Sequence, residues 1–582
     1  MRRLFLVFVL SLFLPLLGMA QSDEWQCYKS AFDAAYEACP DVPRGLLEAI
    51  SCTNTHCHHL TDDNYFHEGP DAMPRAYGLM GLVKDGKGYF RENLHLVSEI
   101  SGISEAEILE SPEANVKAYA MAFSCLAKES KVSGIKGYLS IIQQLSELPI
   151  GEEKDVFPMQ TMLYSVCLFL NDVEKAKHFG FQPYDINFKA VFAEHYDKLQ
   201  APELNYSRDS DYPRAIWDPA PECNFGERTS PVSGVVIHYT EGSYAGCISW
   251  FKNCDASVSA HYVIRSSDGQ VTQMVRESDK AWHARTANPY TIGIEHEAYG
   301  DIASFFTEAM YQSSADLVRN ICSRYESIDG HRAFYRDTLD NGQCLNSGLH
   351  DLGGENACVK IRGHQHYPDQ SHTDPGPFWD WNYYYKLINE GTPVTEVTGE
   401  SGRIDNLSYG DDERKIWVIR CPEGSIASID FKSFQLEKDF DFLWIYDGDN
   451  VYAPKIGRWN TKSPGKVVAS SNTMCLEFRS DCSTNALGWQ AVWLAEAAVG
   501  PDPTQALVGV FPNPTTGKFT VSTEREGLTD VVVSDLYGNQ VVPLIRFQKS
   551  VEIDASNWAS GVYFVNYGAP NQMDKVVKIV KL

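Results

Sequence analysis

The sequence predicts a multidomain chain, with a helical domain over residues 21–200, an α/β domain over 201–392 and two β-sandwich modules over 400–498 and 504–582. Three observations carry that division. At 582 residues the chain is too long for a single core. Apolar spacing shifts along it, from three-and-four in the first part to strand-like runs later. Polar joints separate the segments: Ala201 to Glu222, with Pro202, Pro213, Pro219 and Pro221; Gly391 to Ser401; and Gly500-Pro501-Asp502-Pro503.

Arg2 and Arg3 precede an apolar run from Leu4 to Leu17, and Gly18-Met19-Ala20 follows, so residues 1–20 read as a signal peptide cleaved after Ala20. No later run reaches about 18 apolar residues, so no transmembrane segment is expected after its removal. Helical periodicity appears at Val42 to Ile50 and at Glu113 to Ala122. The α/β domain alternates helical patterns with strand-like runs such as Val235-Val236-Ile237-His238 and His261-Tyr262-Val263-Ile264. Beyond it, Ile416 to Ile419, Ser428 to Phe431 and Phe442 to Tyr446 each read as a strand followed by turn residues.

The formal net charge of -27 argues against nucleic acid or an anionic lipid surface as partner, because both reward clustered Lys and Arg. The fifteen cysteines fit an exported chain. They fall into three groups, Cys27 to Cys167, Cys223 to Cys358 and Cys421 to Cys482, which suggests bridges within domains. Cys52, His56, Cys57, His58 and His59 read as a disulfide with exposed histidines rather than as a metal cluster.

Chemistry concentrates in the α/β domain. His238 ends an apolar strand, a rigid place from which to present a ligand. The stretch from Gly363 to Pro377 crowds His364, His366, His372, Asp369 and Asp374 into one loop, although the chain has only 16 His. Two imidazoles and a carboxylate with an open fourth position suit a catalytic zinc. Composition does not say which loop histidine is the ligand.

Residues from about Tyr212 to Tyr385 resemble the zinc N-acetylmuramoyl-L-alanine amidases of the peptidoglycan-recognition type. The matching stretches are Val235 to Gly242, Ser259 to Ile264, Ala281-Trp282-His283-Ala284, Ile292 to Glu297 and the loop from Gly363 to Pro377. The resemblance implies an α/β fold with a mixed central sheet, and zinc held by His238, His364 and Asp374. It makes Glu295 the carboxylate that activates the attacking water and His372 the stabiliser of the oxyanion, with Tyr239 and His283 lining the substrate groove. The implied substrate is peptidoglycan or muropeptides, cut between N-acetylmuramic acid and L-alanine. Glu297 competes with Glu295, since strand alternation puts both on one face; the family pattern favours Glu295. His261 reads as a packed strand residue, and His296 and His366 as supporting or surface residues. A rival reading, a module that binds muropeptides without cutting them, would be signalled by a lost ligand, and all three positions hold competent ones.

Three flanking resemblances complete the reading. Val42 to Ile50 and Ala76 to Leu82 faintly resemble the lysozyme-like fold of lytic transglycosylases. Asn54 stands where that family needs a glutamate, which implies a degenerate domain without glycosidase activity. Residues 402–495 resemble a CUB β-sandwich, in which Glu437, Asp441 and Asp481 are candidates for Ca2+ against a default of solvated turn carboxylates. Val508 to Phe519, Asp535 to Gly538, Gly561 to Val565 and Lys575 to Leu582 resemble a type IX secretion sorting domain. That implies the type IX machinery as partner, and release outside the cell or display on its surface.

Overall fold

The computed structural model describes residues 24–66, 72–200, 210–300, 302–335, 348–497, 508–523, 527–534, 540–558, 561–569 and 572–581. The signal-peptide stretch, the joint at Gly500 and the motif from Asp535 to Gly538 lie outside the described residues.

The helical domain is built on α1 (Glu24–Ala38), α2 (Leu46–Thr55), α3 (Pro112–Glu129) and α4 (Glu153–Asn171). The periodicity from Val42 becomes helix only at Leu46, because Gly45 takes a left-handed φ of 87°. A Cβ there would also lie 2.6 Å from the Phe181 ring. At α3 the expected start is sharp: Ser111 accepts from Ala114 N, and Pro112 fills the first turn. Cys52 and Cys57 are disulfide-bonded. The histidines beside them are half-buried rather than exposed. His56 stacks on Phe305 with 3.6 Å between ring centroids, and His58 Nε2 lies 2.8 Å from Ser304 Oγ. Both partners belong to the α/β domain, a contact that local sequence does not announce.

The α/β domain carries a sheet of β1 (Ile216–Trp217), β2 (Gly234–Tyr239), β3 (Tyr262–Ile264), β4 (Val271–Gln273), β5 (Thr291–His296) and β6 (Ile361–Gly363), in the order β6-β2-β5-β3-β4-β1. Only the β3–β4 pairing is antiparallel, so the sheet is mixed. Its helices are α5 (Tyr244–Trp250), α6 (Glu308–Arg324) and α7 (Trp381–Ile388). Val235, Ile237, Ile292 and Ile294 pack on α6 and α7 in one apolar core. By strand alternation the opposite face carries Val236, His238, Gly293 and Glu295.

That opposite side meets the helical domain, and one core runs from Leu46 and Ile50 to Ile248, Trp250 and Phe251. Arg265 is buried in the seam, where Nη1 donates to Thr161 Oγ1 at 3.1 Å and Ser165 Oγ at 3.2 Å on α4. Part of the expected linker is ordered sheet edge: β1 lies within it, and the buried Asp218 pairs with Lys198 (2.8 Å) and Lys252 (2.7 Å).

The next module is a sandwich of a five-stranded and a four-stranded sheet. It begins at β7 (Val394–Thr398), inside the second expected joint, because β7 pairs parallel to β8 (Arg414–Arg420). The expectation of bridges confined to domains fails here, since Cys358 bonds to Cys482 across the α/β and sandwich modules. Noncovalent packing explains the closeness: Val418, Phe442 and Trp444 share a core with Tyr384 and Tyr385 of α7. At its edge Glu477, fully buried, pairs with Arg414 (2.6 Å) and Arg479 (2.9 Å) and accepts from Tyr446 Oη at 2.9 Å. The Arg479 guanidinium lies 4.1 Å from the centre of the Tyr385 ring. The C-terminal module pairs a three-stranded with a four-stranded sheet around Phe519, Val531, Val533 and Val565.

Burial alone would raise the Glu477 pKa, but Arg479 and Arg414 hold it at about 2. Its contribution to stability is therefore complete above the ordinary value of 4.5 and is lost as pH falls towards about 2. Glu477→Gln leaves two buried guanidinium groups uncompensated and is expected to cost about 3–5 kcal/mol at neutral pH. Denaturant unfolding across the acid range checks this: the gap between wild type and variant narrows as pH falls through that window.

Candidate metal centre and catalytic cleft

Strand register assembles the site. In the parallel pair β2–β5, His238 stands directly beside Glu295. Gly363 at the end of β6 pairs with Ile237, so His364 emerges next to His238. The loop then folds back, with Gln365 N donating to Asp374 O at 3.1 Å. Gly363 permits that return, since a Cβ there would sit 2.5 Å from Pro375 Cδ.

His238, His364 and Asp374 are buried together. His238 Nδ1 lies 2.7 Å from Asp374 Oδ2, and His364 Nδ1 lies 3.1 Å from Asp374 Oδ1. The outer nitrogens settle the tautomers. His364 Nε2 is 2.6 Å from Gln370 Oε1, whose amide nitrogen donates to Ala284 O and Pro368 O, so the oxygen must face the imidazole. His364 therefore carries its proton on Nε2. His238 Nε2 lies 3.0 Å from His283 Nδ1, and His283 Nε2 lies 3.4 Å from a Thr291 hydroxyl that donates to Ala287 O. The same sense of donation leaves Nδ1 of His238 bare. Burial lowers the His238 and His283 pKa values, against the pull of Asp374 at His238. Two nitrogen lone pairs thus face one carboxylate, an arrangement that calls for a cation between them. The donor set, with ligand atoms within 4.8 Å of one another, fits zinc.

Glu295 is half-buried, with its Oε2 atom out of solvent and lacking any hydrogen-bond partner, and desolvation, then Asp374 and Glu241, push its pKa well up. Glu297 is engaged differently. β5 ends at His296, and the Glu297 carboxylate accepts from Tyr244 N and Ser266 N at 2.8 Å each, outside the cleft that Glu295 lines. The His283 ring occupies the place of a side chain at Gly293, where a Cβ would lie 2.6 Å from it. His372 stacks on His364, with 4.7 Å between ring centroids, and its Nδ1 is 4.0 Å from Asp374 Oδ1. Tyr239 lines the cleft but is 8% exposed, its ring packed beneath Gly300 and Gly376.

His261 is a buried strand-end residue whose Nδ1 accepts from Gly293 N at 3.0 Å. His296 and His366 are fully buried, so neither is a surface residue. His296 sits on the α6 face, between His238 O and Ser314 Oγ at 2.8 Å each, and thereby braces β2. In the sandwich module Glu437, Asp441 and Asp481 also converge within 4.8 Å. Burial raises Asp441 to about 6, while Asp481 N donates to it at 3.0 Å.

The cleft over His238, His364 and Asp374 has a volume of ≈ 240 Å³ and includes residues the sequence reading did not single out. Gln370, which backs His364 without lining the cleft, lay inside the recognised loop, but an amide among histidines and aspartates carries no ligand signal. Arg285, whose Nη2 donates to Ser371 Oγ at 3.0 Å, follows the His283 stretch directly. Phe66 and Met73 come from the helical domain. Asn54 lines a different cavity, shared with Arg265 and Asp268, and donates to Met80 O at 3.1 Å.

The N-acetylmuramoyl-L-alanine amidase family matches residues 228–377, the CUB domain 394–493, and the secretion system C-terminal sorting domain 509–581. N-acetylmuramoyl-L-alanine amidase A of Achromobacter lyticus is 41% identical over 182 residues, covering 31% of this chain and 97% of that protein. Procollagen C-endopeptidase enhancer 2 of Mus musculus is 34% identical over 113 residues, covering 18% of this chain and 27% of that protein. Among solved structures, the PlyG catalytic domain covers 30% of this chain and 93% of its own at 13% identity and a TM-score of 0.20. The MASP-1 CUB2 domain bound to Ca2+ covers 17% and 97% at 22% identity and a TM-score of 0.15. The sorting domain directs type IX secretion to the cell surface or beyond, and among the described residues no helix is long and apolar enough to cross a membrane. With the amidase model matching residues 228–377 and a relative of that activity covered almost completely, the chain belongs to the N-acetylmuramoyl-L-alanine amidase family and is an exported peptidoglycan amidase.

Proposed function

We propose that the cleft hydrolyses the amide between the lactyl group of N-acetylmuramic acid and L-alanine, with His238, His364 and Asp374 holding zinc, Glu295 as base and His372 as oxyanion donor. The observation that carries this reading is the pair of imidazole lone pairs fixed towards one buried carboxylate beside an unpartnered Glu295 oxygen. Zinc bound there supplies Lewis acidity to the scissile carbonyl and the attacking water. Glu295 takes the water proton as oxygen adds to the carbonyl carbon, and passes it to the alanine nitrogen as the C–N bond breaks. His372, beside Asp374, is placed to donate to the oxygen that gains charge. His283 and Gln370 hold the rings of His238 and His364 in their tautomers. Export past the outer membrane favours foreign walls and soluble fragments as substrates.

Glu295→Gln is expected to lower kcat by about 100-fold or more while metal stays bound. Mass spectrometry of muropeptides, with metal analysis of the same samples, checks both halves. Free stem peptide beginning at L-alanine, formed by wild type and absent after chelation, supports the amidase; muropeptides bound but left whole would favour the recognition module. Gln370→Leu removes the acceptor for His364 Nε2–H and is expected to weaken zinc affinity by about 10-fold or more in chelator competition.

Glu437, Asp441 and Asp481 would take Ca2+ through hard oxygens, a reading supported by their convergence within 4.8 Å. Millimolar Ca2+ is expected to raise the unfolding temperature of wild type and not of Asp441→Asn, as scanning calorimetry reads directly.

A further inference from the structure

The helical domain reaches the cleft. Phe66 and Met73 line it together with Trp250, His238 and Glu295. Two contacts fix that edge. Phe66 N donates to Glu241 Oε1 at 2.9 Å. The Met73 methyl lies against Gly242, so closely that a Cβ there would sit 1.9 Å from it. Glycine at 242 is thus what lets the two domains close at the mouth. Phe66 remains 58% exposed although its backbone is held, so an apolar ring stands in solvent at the rim.

Charge distinguishes the two walls. Glu241 lies on the helical-domain side. Arg285 lines the cleft from the side of Ser371, on the loop that carries His372. The substrate has a matching asymmetry, because its sugars are neutral rings with apolar C–H faces, whereas its stem peptide carries carboxylates. A carboxylate gains beside Arg285 and loses beside Glu241, while a sugar face packs on an aromatic ring without electrostatic cost.

We infer that the helical domain is part of the substrate site, Phe66 and Met73 forming a wall that binds the glycan half of the amidase substrate while the stem peptide lies towards Arg285. This rests on the amidase reading for the identity of the two halves. It gives the helical domain a binding role at the neighbouring active site.

The test compares the zinc-loaded full chain with Phe66→Ala and Phe66→Tyr, using the N-acetylglucosaminyl–N-acetylmuramic acid disaccharide with its lactyl carboxyl capped as the methylamide, so that the glycan half stays neutral, and the free stem peptide as separate probes in NMR titrations. Phe66→Ala should weaken disaccharide binding about fivefold or more and leave peptide binding within about twofold, and Phe66→Tyr should restore it. In turnover of the disaccharide–peptide, KM should rise by a similar factor with kcat nearly unchanged. Unchanged disaccharide binding, or equal loss for both probes, would overturn the wall; unaltered melting temperatures exclude misfolding. Disaccharide binding that depends on Phe66, in a wild type that releases no stem peptide, would sink the amidase reading and leave the wall standing.

Discussion

The register of three adjacent parallel strands is the constraint on which everything else depends. Because β2 pairs with β5 and β6 in fixed register, His238, Glu295 and the start of the His364 loop reach one sheet edge together. A slip by one residue would send Val236 and His238 into the apolar core and expose Ile237. The core therefore polices the site: Val235, Ile237, Ile292 and Ile294 bury against α6 and α7 only in the register that presents His238 and Glu295 to the cleft. His296 strengthens this from behind by joining the β2 backbone to Ser314 on α6.

A second consequence follows from which face is left over. Helices α6 and α7 cover one side of the sheet, so the side bearing the site needs another cover, and the helical domain supplies it through a shared core. The sandwich module docks at the other end by the same logic, with α7 contributing Tyr385 to a seam closed by Arg479, Glu477 and the Cys358–Cys482 bridge. A buried ion network in such a seam is weak evidence for added stability but restricts how the partners can dock.

Much of this was legible in the sequence, and the rest was not, for identifiable reasons. His238 and the loop from Gly363 to Pro377 stood out because ligand types are scarce elsewhere and a strand end is a rigid mount. The preference for Glu295 over Glu297 could not come from alternation, which treats them alike; the strand's end at His296 and two backbone donors separate them. Gln370 was invisible because its role is to orient a proton, and an amide in a polar loop looks like solvent-facing surface. The cross-domain bridge, the half-buried His56 and the ordered β1 all escaped for one reason: each depends on a partner more than 50 residues away. Local composition reports such partners poorly.

The arrangement around His238 and His364 bears on how an exported enzyme would keep a metal at the proposed site. Outside the cell, ligand rings free to rotate or to exchange tautomers would bind weakly, since each binding event would have to order them. Here each ring's second nitrogen is committed before any ion arrives, one to His283 and the other to Gln370, and each of those is committed in turn to Thr291 or to backbone carbonyls. Gly293 and Gly363 make room for the His283 ring and the Asp374 return, so the strand interiors concede two side chains to that preorganisation. The ordering cost is met during folding, by a core large enough to bear it, and an ion held as proposed between these rings would bind correspondingly more tightly.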